Sequence, residues 1–224
     1  GLKMVAIGLV PELTAEAAKK AALGAGARVI KTYAYELNHR ELEEIKATPL
    51  DIILLAGGTD GGNKDCIIHN AKMIAEYKLD VPVVVAGNKA AIDQVEAIFK
   101  EAEIDYFVTE NVMPVINKLN VEPSREEIRK VFMNRIVEAK GMKNAEEFIR
   151  GILMPTPAAV LKAAEVLAEG TDDEDGIGDL IVVDIGGATT DVHSIAKGDP
   201  TKPSIMIKGL EEPFAKRTVE GDLG

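Results

Sequence analysis

The stretch IVVDIGGATTDVHS, residues 181–194, carries the residue types that a nucleotide phosphate demands. An apolar strand delivers a carboxylate, Asp184, to a turn. Gly186 and Gly187 lack Cβ atoms, so the backbone there can come close to a phosphate and aim successive N–H groups at its oxygens. Ala188 completes the turn, hydroxyls from Thr189 and Thr190 follow, and Asp191 adds a second carboxylate. A carboxylate at a strand end suits Mg²⁺, which keeps part of its hydration shell and is held largely through water. Asp-x-Gly-Gly by itself reads better as an ordinary glycine hairpin with a solvated aspartate. The added Thr-Thr-Asp, and the buried strand before it, favour a phosphate loop.

A second glycine-rich turn, Gly57-Gly58-Thr59-Asp60-Gly61-Gly62, follows an apolar strand and precedes a helix. Ligands of open α/β sheets gather at the carboxyl ends of strands, and a helix N-terminus behind glycines favours an anion. The turn is not a P-loop, because no Gly-Lys-Ser/Thr follows, and it does not fit G-x-G-x-x-G. A tight strand-to-helix connection capped by Asn63 explains part of it. Four glycines in six residues are more permissive than a connection needs, so a binding role is expected, with Thr59, Asp60 and Asn63 as polar contacts. A phosphate group, part of a cobalamin and a loop of a partner enzyme all remain open as its ligand.

These turns must be positioned by regular elements. Continuous apolar strands are expected at 4–10, 28–33, 51–56, 81–86 and 106–109, separated by helices. Thr14 is expected to cap an Ala-rich helix ending near Gly24 and Gly26, and Asn38 with Glu41 has the spacing of a capping box. Further helices are expected from the glycine turn to Tyr77, and with Ile92, Val95, Ile98 and Phe99 on one face. Apolar strands alternating with amphipathic helices imply a parallel sheet covered on both faces. The middle reads as helical, with capping boxes at Ser124/Glu127 and Asn144/Glu147 and an N-cap at Thr156 before Pro157. Gly170 ends the last helix, and an exposed acidic loop leads into strands at 180–184, 190–196 and 204–208. The expected fold is therefore α/β: a Rossmann-like domain over 1–120, then a helical segment and the hairpin over 121–224.

Composition narrows the function. The formal charge of -11, from 26 Lys and Arg against 37 Asp and Glu, repels a phosphate backbone, and aromatics at 4% leave few stacking platforms. Nucleic acid is thus not expected as a partner. A lone cysteine, Cys66, excludes an internal disulfide and suits the cytoplasm. No apolar run is long enough to cross a membrane. Both ends read as cut from a longer protein. His39, His69 and His193 lack ligand spacing, Cys66 reads as a buried thiol, and Tyr33 and Tyr35 as partly buried residues at a strand end.

The octapeptide 184–191 is similar to the second phosphate loop of the actin and sugar-kinase superfamily. With LLAGGTDGGN at 54–63 and the order of elements between them, the chain resembles the GlmL/MutL family of accessory proteins to glutamate mutase. The resemblance implies part of an actin-like, ribonuclease H-like ATPase subdomain, with ATP and Mg²⁺ as cofactors in the full-length protein. It implies that Asp184 meets the metal-water shell, that Gly186, Gly187 and Ala188 wrap the phosphates, and that Thr189 and Thr190 assist. It further implies a reactivating or chaperone-like role toward subunits of an adenosylcobalamin-dependent mutase, and none in mismatch repair despite the shared name. Many relatives have a third glycine where Ala188 stands, and the first phosphate hairpin, of Asp-x-Gly-x-Thr type, is absent from this sequence. Negligible ATPase is therefore expected of this chain alone. The Asp-x-His-x-x-G signature of cobalamin domains is also absent, since Leu37 precedes His39 where an Asp is required. A small-molecule kinase of the same superfold and a non-catalytic scaffold are the alternatives.

Overall fold

The computed structural model describes residues 2–139, 154–186, 189–198, 210 and 212–221. Five short strands, β1 (Lys3–Gly8), β2 (Arg28–Ala34), β3 (Ile52–Leu55), β4 (Val83–Val85) and β5 (Tyr106–Val108), pair in the order β2-β1-β3-β4-β5. All four pairings are parallel. The connecting helices are α1 (Glu16–Gly24), α2 (His39–Ala47), α3 (Asp65–Tyr77) and α4 (Ile92–Glu101), followed by α5 (Glu122–Ala139).

Strand side chains alternate between two buried faces. Met4, Ala6, Ile52, Leu54 and Val84 pack against α1 and α5, where Ala17, Ala18, Ala21 and Ala22 let the α1 backbone come close. Val5, Ile7, Ile53, Leu55 and Val85 pack under α2, α3 and α4, around Leu42, Ile74, Val95 and Phe99. Burial on both faces is why these strands read as continuous apolar runs. The capping box of α2 is present: Asn38 Oδ1 accepts from Glu41 N, and Glu41 Oε2 accepts from Asn38 N.

Three helix starts beside prolines differ from the sequence reading. A single π-helical turn, Pro11–Ala15, precedes α1, with Val10 as its N-cap. The Thr14 hydroxyl lies inside that turn and accepts from the amides of Leu9 and Val10. Ser124 lies within α5, which begins at Glu122, and its buried hydroxyl has no partner. The last helix, α6 (Thr156–Glu169), is capped by Pro155, one residue before the expected Thr156. The expected box at 144–147 and the strand at 204–208 lie outside the described residues. Gly170, at φ +90°, ends α6 as expected.

A second sheet of three antiparallel strands follows: β6 (Leu180–Ile185), β7 (Thr189–Ile195) and β8 (Ala215–Gly221), in the order β6-β7-β8. Its inner face meets α6 through Ile195, Ala215, Leu161 and Ala164. The sequence reading did not include β8. Arg217 of this strand is buried and reaches the end of α1, where its Nη1 donates to the carbonyls of Leu23 (3.1 Å) and Ala27 (2.9 Å). Its Nη2 donates to Asp191 Oδ1 at 2.8 Å. Removing one partner from a buried ion pair leaves an uncompensated charge, typically at about 3–5 kcal/mol. Arg217→Met is expected to destabilise the chain by roughly that amount, read as a lowered midpoint in urea denaturation followed by circular dichroism.

Candidate functional site

The strand order changes direction between β1 and β3: the chain leaves β1 for β2 on one side, then fills β3, β4 and β5 on the other. Ligand crevices of doubly wound sheets form at such a switch, beyond the carboxyl ends of the strands. The glycine turn 57–62 follows β3 at this place, next to Leu9 after β1. Gly57 and Gly58 have φ of +144° and +72°, and Gly61 has +74°. A Cβ on Gly58 would run into the carbonyl oxygen of Asn63, so the glycine there is a steric requirement.

Two asparagines that the sequence reading passed over hold this turn. Asn88, fully buried after β4, accepts from Gly61 N and Ala90 N through Oδ1 and donates to the carbonyls of Gly62 and Asn63 through Nδ2. Asn111 donates to the Gly58 carbonyl and to Asp60 Oδ1, both at 3.0 Å. Asp60 Oδ1 also accepts from Lys89 N, and the Asp60 amide donates to the Pro114 carbonyl. The Gly62 amide donates to the Thr59 carbonyl. Asn63 Oδ1 accepts from Cys66 N, but the N-cap residue of α3 is Lys64, one position beyond the expected Asn63. The amides of Asp60, Gly61 and Gly62 are therefore committed within the protein. Thr59 is half-buried, and Gly61, Gly62 and Asn63 are exposed. An asparagine following Gly87 at a strand end was the signal available for Asn88, since a Cβ on that glycine would overlap Ile67 and approach Gly57.

The expected phosphate loop is a hairpin. Asp184 stands opposite Asp191, Ile185 opposite Thr190, and the Gly186 amide donates to the Thr189 carbonyl at 2.9 Å. Gly187 and Ala188 lie outside the described residues. Asp184 is half-buried, and its carboxylate takes part in no hydrogen bond or ion pair among the described residues. Asp191 is buried and held by Arg217. Like charges directly opposite one another repel. The Arg217 guanidinium pairs with Asp191, and Asp184 stands across the ladder from that pair. Thr190 is buried and Thr189 half-buried. The two turns lie on different sheets, and no hydrogen bond among the described residues joins them.

His193 is buried beside this pair, opposite Val182 and Arg217, with neither ring nitrogen partnered. Burial and then the Arg217 charge lower its pKa below the ordinary histidine value. The Cys66 thiol is pushed up to about 11 by burial, away from nucleophilic use. Tyr33 is buried and its hydroxyl is raised to about 12, chiefly by desolvation, whereas Tyr35 is exposed at φ +67°. No group of three or more metal-ligating side chains occurs among the described residues. None of the described helices is long and apolar enough to cross a membrane.

Two outcomes are expected. Asn88→Ala strands several backbone groups at once and lowers stability by roughly 2–4 kcal/mol in urea titration. His193 binds its proton more readily when unfolded, so stability falls as pH drops below its ordinary value of about 6.5 and levels off only beneath the depressed folded value. His193→Phe should flatten that slope between pH 7.5 and 5.5, as measured by denaturation midpoints.

A family model described as "MutL protein" matches residues 1–224. Protein MutL of Clostridium tetanomorphum is 75% identical over 224 residues, all of this chain and 48% of that protein. The chain thus spans about half the length of this relative. Among solved structures, apo translation elongation factor SelB from Methanococcus maripaludis aligns over 98% of this chain and 51% of its own, at 11% identity and a TM-score of 0.27. So slight a likeness carries no argument. With every residue inside the family match, and three positions in four shared with a MutL across the whole chain, this protein belongs to the MutL family.

Proposed function

We propose that this chain is part of a cytoplasmic accessory protein that binds an adenosylcobalamin-dependent glutamate mutase and assists its assembly, activation or cofactor exchange under nucleotide control. Family membership supports the mutase as partner. The observation that carries the nucleotide reading is the Asp184 carboxylate. It lies one residue from the end of β6, stands opposite a second aspartate, and has no side-chain partner among the described residues. A bound Mg²⁺ would supply the charge that neutralises phosphate oxygens.

Each residue of the hairpin then has a distinct task. Asp184 receives the metal through its water shell, and Gly186, whose amide closes the hairpin on the Thr189 carbonyl, leaves the amides of Gly187 and Ala188 to hold phosphate oxygens. Thr189 and Thr190 add hydroxyl donors. Asp191 stays with Arg217 and acts by position, fixing β7 against β8 and so the register of the turn. A grip on both sides of the phosphates would need a second hairpin besides the one at 184–191. Nucleotide exchange would then shift the two walls relative to each other and change affinity for the mutase. The glycine turn at 57–62 belongs to the partner-facing side of this reading, through exposed Gly61, Gly62 and Asn63.

Calorimetry with Mg-ATP and Mg-ADP tests this directly. The full-length protein is expected to bind, this chain alone is not, and Asp184→Asn in the full-length protein should weaken binding at least tenfold. Tight binding of purified mutase that responds to nucleotide completes the expected result. Mutase binding that ignores both nucleotide and Asp184→Asn would replace the ATPase reading with a scaffold.

A further inference from the structure

A cavity of about 620 Å³ lies between α1, β2, α5 and β8, away from both turns. Its size falls within the usual range for small-molecule sites. Its wall is cationic, although the chain carries a net charge of -11. Lys19 and Lys20 of α1, Arg28 of β2, Arg125 of α5, and Lys216 and Arg217 of β8 all line it. Glu16 and Glu212 are the acidic lining residues. Glu122 and Asp191 also pair with Arg125 and Arg217, so six cations face four carboxylates.

Three details point to an anion. Arg217, whose side chain is only 4% exposed, buries its Nε without a partner, whereas the Arg125 Nε packs on Gly24. Arg28 enters no ion pair among the described residues. Glu212 places a carboxylate oxygen 2.6 Å from Lys20 Nζ, and its other oxygen lies 3.8 Å from Lys216 Nζ. The chain's own acid thus sits where the acid group of a ligand would. Leu23, Val29 and Pro213 supply an apolar stretch of wall suited to a short carbon skeleton.

We propose that this cavity binds a small polyanion, a molecule bearing at least two carboxylate or phosphate groups, and that Glu212 occupies one anion position until the ligand displaces it. Arg28 and Lys19 receive one acid group at the mouth; Lys20 and Lys216 receive the other. The walls come from both sheets, so a ligand here ties β8 to the α1–β2 unit and raises the stability of the whole. The inference is independent of the nucleotide reading, since none of the residues of either turn lines the cavity.

The test uses this chain in metal-free buffer at constant ionic strength, with citrate and inorganic pyrophosphate as probes and chloride as control. Calorimetry and thermal denaturation are expected to show saturable binding and a raised Tm with at least one probe. Citrate alone would identify a carboxylate ligand, and pyrophosphate a phosphate one. Arg28→Ala should weaken binding at least fivefold. Glu212→Gln releases both lysines and should tighten binding at least threefold, a gain that loss of fold cannot mimic. Circular dichroism checks both variants; Arg125 and Arg217 are left intact because they hold the fold. The proposal is overturned if neither probe exceeds chloride, or if affinity is unchanged in both folded variants.

Discussion

The guanidinium of Arg217 is the point at which the two sheets become one molecule. Burial alone would make this charge costly, and desolvation does lower its pKa. Asp191 opposes that shift from the neighbouring strand, and two carbonyls at and just beyond the end of α1 accept from Nη1. Helix C-termini carry partial negative charge, so the α1 terminus is a natural seat for a cation. The arrangement fixes β8 against α1 and β7 against β8. Arg125 adds a parallel tie from α5 to the Ala215 carbonyl, packed so tightly on Gly24 that no side chain fits there.

The glycine turn follows a different logic. Glycines give it a path that other residues resist, and that freedom would ordinarily leave it soft. Asn88 and Asn111 remove the softness by placing amide groups where the turn's own donors and acceptors point. The result is a rigid feature at the sheet's switch point, with its amides turned inward and its exposed rim formed by Gly61, Gly62 and Asn63. A surface of this kind suits shape recognition by a protein better than a phosphate cradle, which needs free N–H groups.

The parallel sheet was legible because apolar runs such as IILL and VVV leave no polar face, and the α2 cap was legible because Asn38 and Glu41 satisfy each other's backbone. The three misplaced helix starts share one cause. Each lies beside a proline, Pro11, Pro123 or Pro157, and proline in the first turn opens a helix without a capping hydroxyl. The nearest Thr or Ser therefore drew an assignment that the backbone did not need. Strand β8 was hidden because its inward positions include Arg217, and a buried arginine does not read as core. His193 was set aside because the three histidines lack ligand spacing, and spacing says nothing of burial. Asn88 and Asn111 were hidden because their partners are backbone groups on a loop distant in sequence.

The Leu23 carbonyl and the Arg217 guanidinium are 194 residues apart along the chain. Loop-closure entropy makes such a contact one of the last that a folding chain can form. Its acceptors also exist only once α1 has closed on β1 and β2. Docking of the three-stranded sheet is consequently a late event, seated on a helix end that earlier steps prepare. In hydrogen exchange, the amides of β7 and β8 then open together with that docking, as a single cooperative layer less protected than the strands of the central sheet.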